Sequence, residues 1–490
     1  MSLSYLLADD HTTMLNIIEK ILCHFESCFS RKAAFRWFVI IITGLMLRSD
    51  KLGVTSILRD LALAPGCYDS MLHFFRASSW SLEDIRKRWF SAVRLYAPLY
   101  KEGNFHVLVG DGVKQSKEGR RMPGVKKLFQ ESENSAKPEY MHGHMFGGLG
   151  ILAGNFRSWA CIPLSIRLHD GLQAAREWKG ASVSTASHVV QMVEDSYHAA
   201  LTFGDSLLLL DRYFLTVPAL EKLRELNNSG KVHMEIVTKA KKSCTAFQKP
   251  GPRKPGRGRP PKKGDAVHLK GLFASHKEQF METETELYGK KKTIRYYSID
   301  LLWGQKLYQE LRFVLVEMDG IQSILASTSL ALDPLSIIRL YSYRFRIECT
   351  FRELKQQTGA FCYHFWSKHM PKLSYYQKKG EPTPLERVDD ERSRKKILKT
   401  VRAIEVHMEL SCIAMGILQT LSIRFIGKVC SSQIRYQRTP SKGRVSEAAL
   451  MHYFRKHFFR LLEQKPKSYI TQIIHELQEE SEKHWDFLAS

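Results

Sequence analysis

Tyr341, Arg344, Glu348 and Lys355 fall within an arc of roughly 60° if their segment is helical, at about 100° per residue. One stripe then carries a phenol, a guanidinium, a carboxylate and an ammonium. A carboxylate can hold a divalent metal, Arg can fork onto phosphate, and Lys adds a point charge. Apolar Ile337, Ile338, Leu340, Ile347, Phe351 and Leu354 supply the helical pattern. Asp333-Pro334 suit its N-cap and first residue, and Gly359 lies near its end. Taken alone, such a stripe also describes a solvated helix face with i,i+4 ion pairs. Glu353 is the rival acid, but it lies about 140° from Glu348 around the helix.

Two upstream aspartates change that reading. Phe105–Gly110 is a short apolar run ending at Asp111, and Ser206–Leu210 ends at Asp211. Each alone reads as a loop or helix cap. Together with Glu348 they form a set of hard oxygen ligands. Such a set suits two-metal phosphoryl chemistry, with ions about 3.5–4 Å apart. Asp205 competes for the second position but precedes its strand, at the wrong edge of a sheet.

The pattern Y-x2-R-x3-E-x6-K, with Gly110-Asp111-Gly112 and Leu210-Asp211-Arg212, resembles the catalytic core of the cut-and-paste DDE transposases of bacterial insertion sequences (the YREK-signature group). The likeness spans roughly residues 105–360. It implies a ribonuclease H-like core in which Asp111, Asp211 and Glu348 are catalytic and bind two Mg²⁺ or Mn²⁺ ions. Tyr341, Arg344 and Lys355 would hold DNA phosphates near the transferred end. Water would release a 3′-hydroxyl at the transposon end, and that hydroxyl would attack the opposite strand or target DNA. The partners implied are double-stranded DNA, as terminal inverted repeats and target, and a second copy of the chain in a homodimer. Some relatives hold a flipped base against an aromatic in the insertion. Trp303 is the candidate for that stacking, with plain packing as its alternative. Arg212 is followed by Tyr-Phe where many relatives carry small or acidic residues, which leaves its role open. A nuclease of the same fold without strand transfer, and a non-catalytic DNA-binding derivative, are the competing functions.

The elements that must position these groups follow from periodicity. Residues 1–100 read as short helices with turns at Ser49-Asp50 and Pro65-Gly66. Arg48, Lys51, Arg59 and Arg76 near them fit a DNA-binding helical module or a small bundle. Residues 101–238 read as three strands, helix, strand, helix, strand, a mixed α/β sheet with helices on both faces. Lys239–Lys263 holds ten Lys/Arg, five prolines and no acid, so it reads as a loop. Within it, Arg257 and Arg259 lie in an Arg-Gly-Arg-Pro run that could enter an A·T minor groove or touch phosphates without sequence preference. The loop opens a mainly β insertion over 239–330. The striped helix occupies 331–370, and 371–490 is helical, a candidate dimerisation surface.

Composition agrees with a polyanionic partner. The 490 residues carry 74 Lys+Arg against 50 Asp+Glu, a net charge of +24. The longest apolar run, Trp37–Leu47, is too short for a bilayer and reads as a buried helix, so no membrane partner is expected. The acidic N-terminus lacks the features of a signal peptide. Nine cysteines without a C-x2-C pair argue for reduced thiols in a cytosolic protein, and the transposase resemblance implies a bacterial cytoplasmic one, nucleoid-associated on DNA. Cys23-His24 with Cys28 suits no common zinc spacing. His142 and His144 share a strand face but lack a third ligand, so they read as structural or crevice-lining.

Overall fold

The computed structural model describes residues 3–51, 53–130, 136, 138–155, 158–178, 187–251, 260–376, 381–425 and 445–478. Five helices open the chain: α1 (Leu3–Cys23), α2 (Lys32–Leu47), α3 (Thr55–Asp60), α4 (Cys67–Arg76) and α5 (Leu82–Tyr96). The Ser81 side chain accepts the Asp84 N–H at 3.2 Å, capping α5 at a first turn that carries Glu83 and Asp84. The apolar run in α2 is buried, as its composition requires. Arg48 is a correction. Grouped by sequence with the basic residues of a possible DNA-binding module, it is 1% exposed and donates to the carbonyls of Asp50, Gly53 and Thr358 at 2.6, 2.8 and 3.0 Å. A buried guanidinium must find acceptors, and these carbonyls supply them.

The core sheet is built from β1 (Phe105–Ser116), β2 (Tyr140–Asn155), β3 (Ser158–Leu168), β4 (Ser206–Leu209) and β5 (Met234–Ala240). Their spatial order is β3-β2-β1-β4-β5. β1, β4 and β5 run parallel, and β2 is antiparallel to both neighbours. That is the ribonuclease H-like arrangement. Helices α6 (His188–Phe203) and α7 (Val217–Ser229) make the crossovers into β4 and β5, as parallel strands require.

The insertion contributes β6 (Met281–Leu287), β7 (Lys290–Trp303), β8 (Gln309–Met318) and β9 (Ile321–Ser327). β9 pairs with β5, so these strands lengthen the core sheet. The stretch read as a basic loop is not loop throughout: Thr245–Phe247 pairs with Ala266–His268. From β9 the chain enters α8 (Pro334–Tyr343), where the Asp333 side chain accepts the Ser336 N–H at 3.1 Å. α9 (Arg346–Glu353) follows, then α10 (Glu391–Arg424) and α11 (Glu447–Gln464). α10 is long and apolar enough to cross a membrane by length and composition, and its apolar window is wholly buried in the protein.

Glycines decide which helix reaches which sheet face. A Cβ on Gly110 or Gly112 would strike Met192 or His188 of α6. A Cβ on Gly148, the partner of Asp111 across the ladder, would meet the Phe351 ring of α9 at 2.5 Å. Alternation along β1 therefore puts Asp111 on the α9 face and Gly110 and Gly112 on the α6 face. Helices cover both faces.

Candidate active site

The last parallel pair between β1 and β4 is Val109 with Leu209. Asp111 and Asp211 thus stand level, each just beyond the point where the two strands part. Strand β1 does not end at Asp111 as its apolar run suggested. It continues to Ser116 because β2 pairs with it throughout, and the polar residues after Asp111 keep their ladder bonds. Asp111 is held in a ladder on one side and faces an opening in the sheet on the other. Its Oδ1 accepts the Gly112 N–H at 2.8 Å. Asp211 leads a short 3₁₀ turn, Arg212–Phe214, but its carboxylate caps nothing. Its carbonyl accepts the Thr238 hydroxyl at 2.8 Å, which fixes the backbone while leaving the side chain to the crevice.

The striped helix is broken. α8 ends at Tyr343 and α9 begins at Arg346. Between them the amides of Arg344, Ile347 and Glu348 bond three residues back, to Tyr341, Arg344 and Phe345. This tightened turn advances the chain faster than an α-helix. Tyr343 packs on Trp159 and Phe345 on Tyr288, with ring centroids 4.5 and 5.7 Å apart. A π-helical turn, Leu354–Thr358, then carries Lys355 and stops at left-handed Gly359 (φ 60°). Counting 100° per residue therefore fails for Lys355. Its ammonium lies 5.3 Å from the Phe361 ring centroid, apart from the acidic group, and burial alone lowers its pKa.

The other predicted residues come together. Arg344 forks between two acids, Nη1 to Asp111 Oδ2 at 3.1 Å and Nη2 to Glu348 Oε1 at 2.5 Å. The side chains of Asp111 and Arg344 are 20% and 14% exposed, while Glu348 is 54% exposed. Burial pushes the Asp111 carboxyl up to about 6; Arg344 and the Gly112 amide oppose this, and the charges of Glu348 and Asp211 add to it. Tyr341 is held well above the usual phenol range, first by burial, with Arg344 opposing and Asp211 adding. Asp111, Asp211, Glu348, Tyr341 and Arg344 thus share one electrostatic neighbourhood.

The donor chemistry of three carboxylates suits Mg²⁺ or Mn²⁺, and a largely desolvated carboxyl beside two others calls for a cation. The expected closed cage is not formed: among the described residues no three Asp, Glu, His or Cys side chains converge at ion-holding spacing. The Arg344 guanidinium spans Asp111 and Glu348, standing in as the compensating positive charge.

Trp303 lies elsewhere. The Trp303 indole N–H points at Cys244 Sγ, 3.1 Å away, at the end of β7 opposite its hairpin tip. It is that tip, through Tyr288, that reaches the break at Phe345. Arg257 and Arg259 lie outside the described residues. Asp205 and Glu353 are not competitors. Asp205 accepts the His233 amide at 2.8 Å, and Glu353 pairs with Arg352 at 3.2 Å. His144 is structural: its ring nitrogens meet the Tyr363 hydroxyl at 2.6 Å and the Pro123 carbonyl at 2.9 Å.

Sequence reasoning missed Lys239. By composition it belongs to the basic loop, but β5 extends to Ala240 and sets Lys239 near Asp211, Arg212 and Arg344; burial lowers its pKa and Asp211 raises it. It also missed a chain behind the sheet, in which Asp195 meets His169 at 2.9 Å and His169 meets His188 at 2.7 Å. His188 packs between Gly112 and the rings of Tyr213 and Phe214, so it braces both aspartate-bearing segments. No fixed spacing in the sequence flags these three residues.

Comparison with known families matches residues 24–297, more than half of the chain, to the DDE superfamily endonucleases. The chain belongs to this family. Both aspartates of this DDE endonuclease lie inside the matched region, and Glu348 lies beyond it, so the third acid rests on the geometry above. No curated protein matches. Among solved structures, a cryo-EM structure of the piggyBac transposase synaptic complex with hairpin DNA is similar over 91% of this chain and 76% of that one, at 12% identity and a TM-score of 0.36.

Proposed function

We propose that this DDE endonuclease is a DNA transposase of the cut-and-paste type, cleaving transposon ends and joining them to target DNA, related to the YREK group of bacterial insertion sequences. One observation carries the reading: Asp111 and Asp211 are set level by the β1–β4 register, and Arg344 bridges Asp111 to Glu348, the acid of the Tyr-Arg-Glu segment. Asp111, Asp211 and Glu348 are the residues to hold two divalent cations. Bound there, such ions would polarise the phosphoryl group and favour deprotonation of the attacking oxygen.

The chain's own groups do the rest. Arg344 neutralises Asp111 and Glu348, and its fork would be free to grip a phosphate when cations compensate those acids. Tyr341, protonated at neutral pH, donates a hydrogen bond beside it. Lys239 adds positive charge on the Asp211 side. The net charge of +24 supports long-range attraction to DNA. Because two ends must be cut and brought together, the working form is a homodimer on DNA, in the bacterial cytoplasm.

The test uses the full-length protein and a plasmid carrying the DNA that flanks its gene, with Mg²⁺ or Mn²⁺. Asp111→Asn, Asp211→Asn and Glu348→Gln should each lower cleavage by roughly 10³-fold or more while DNA affinity stays near wild type. Cleavage retained by Glu348→Gln removes the third ligand from the assignment. Transfer of the cut 3′ end into a second DNA molecule separates a transposase from a nuclease that only cuts.

A further inference from the structure

A second site lies past the end of the catalytic segment. After a turn at Gly359–Cys362 the chain runs without helix or strand to a second turn at Ser367–Met370, and its side chains alternate. Phe361, Tyr363, Phe365 and Ser367 are buried, while His364, Trp366 and Lys368 are exposed. The run is clamped to the catalytic strand's continuation: buried Lys117 donates to the carbonyls of Phe361 and Tyr363 at 2.7 and 3.0 Å. Trp366, 58% exposed, stands on a ridge between two clefts of about 700 and 670 Å³, both lined by Cys362, His364 and Trp366.

The larger cleft runs between this segment, α4 and the start of α10. Its lining includes Arg76, Lys368, Lys396 and Lys399, with Tyr68 and His73, and no Asp or Glu. None of the four cations forms an ion pair among the described residues. Its floor holds His407, 2% exposed, whose ring nitrogens make no hydrogen bond of standard geometry beside the Gly359 backbone. Across the ridge lie Arg120, Arg121 and Lys372, with Glu118 as the one acid. Arg121 donates to the Lys368 carbonyl at 2.5 Å, bracing the ridge.

Unpaired cations call for phosphates, and exposed aromatic faces call for flat apolar surfaces. A duplex offers the first along its outside but hides the second in its stack. Unpaired nucleotides offer both, and a cleft of this size takes a nucleotide or two while excluding a double helix about 20 Å across. We infer that this cleft binds a single-stranded segment of the DNA substrate, with a base stacked on Trp366 and its flanking phosphates on Arg76, Lys396 and Lys399. The inference rests on the DNA-cleaving reading and adds a strand-specific site to it.

The experiment measures binding of the full-length protein to a blunt duplex and to the same duplex with a short single-stranded tail carrying 2-aminopurine. Wild type should prefer the tailed DNA and quench the probe. Trp366→Ala should weaken tailed binding by about 5- to 150-fold and abolish quenching, with Trp366→Phe retaining most of both. Lys396→Glu with Lys399→Glu should reduce the salt slope for the tail by about 1.4. Equal loss on blunt and tailed DNA, or no loss with Trp366→Ala, overturns the inference. A protein that binds and cleaves duplex but never prefers the tail overturns this site alone. A protein that binds neither DNA overturns the endonuclease reading with it.

Discussion

Gly148→Ala should separate cleavage from binding in this protein. Gly148 sits opposite Asp111 in the ladder, and a Cβ there would lie 2.5 Å from Cε1 and Cζ of Phe351. Carbon atoms settle at about 3.5–4.0 Å, so ring and strand must separate by roughly 1–1.5 Å. Phe351 is buried and one turn from Glu348 on α9, so the helix carries the displacement to the acid. Overpacking of this kind costs about 1–3 kcal/mol. For a chain of 490 residues the unfolding entropy is about 1 kcal/mol per kelvin, so Tm should drop by only about 1–3 °C. A shift of about 1 Å at a reacting centre lowers the rate by roughly 10²-fold. Single-turnover cleavage, DNA affinity and Tm should be measured side by side. Adding Phe351→Leu to Gly148→Ala should recover most of the rate, since it removes the ring atoms that collide. Gly150→Ala, which strikes Cys161 and the Ile162 carbonyl instead of α9, should cost stability without a selective loss of rate. Cleavage within about threefold of wild type in Gly148→Ala, or a double variant no better than the single, refutes the claim that this contact sets the position of Glu348.

Two further predictions follow from buried groups. Burial, and secondarily Lys117, holds His144 near 3, with the Pro123 carbonyl opposing; the unfolded value is 6.5. The unfolded chain therefore takes up a proton that the folded chain refuses, and stability falls as pH drops below 6.5. Going from pH 7.5 to 5 should cost about 2 kcal/mol through this residue, and His144→Gln should show a shallower acid decline in Tm despite a lower value at pH 7.5. An unchanged acid slope would exclude His144 as a source. Arg48→Met should destabilise by about 3 kcal/mol or more in urea unfolding, because three carbonyls lose their donor, and Arg48→Lys should recover little, since an ammonium cannot span them.

Sequence alone supplied the candidate chemical groups. Carboxylates at the ends of apolar runs, an Arg four residues before Glu348, and a strong positive excess are statements about residue type and local period. Local period also set the succession of strands and helices along the core and the Asp333-Pro334 helix start, because alternation and capping act over a few neighbouring residues. Tertiary structure decided the placement. Asp111 stays in a strand only because β2 pairs beyond it. The helix breaks at Arg344 where the rings of Trp159 and Tyr288 hold its neighbours, and that break turns Arg344 onto two acids and leaves Lys355 behind. Lys239, Gly148 and the Asp195-His169-His188 chain gain their roles from contacts between segments far apart in sequence. Spacing along the chain carries no record of such contacts.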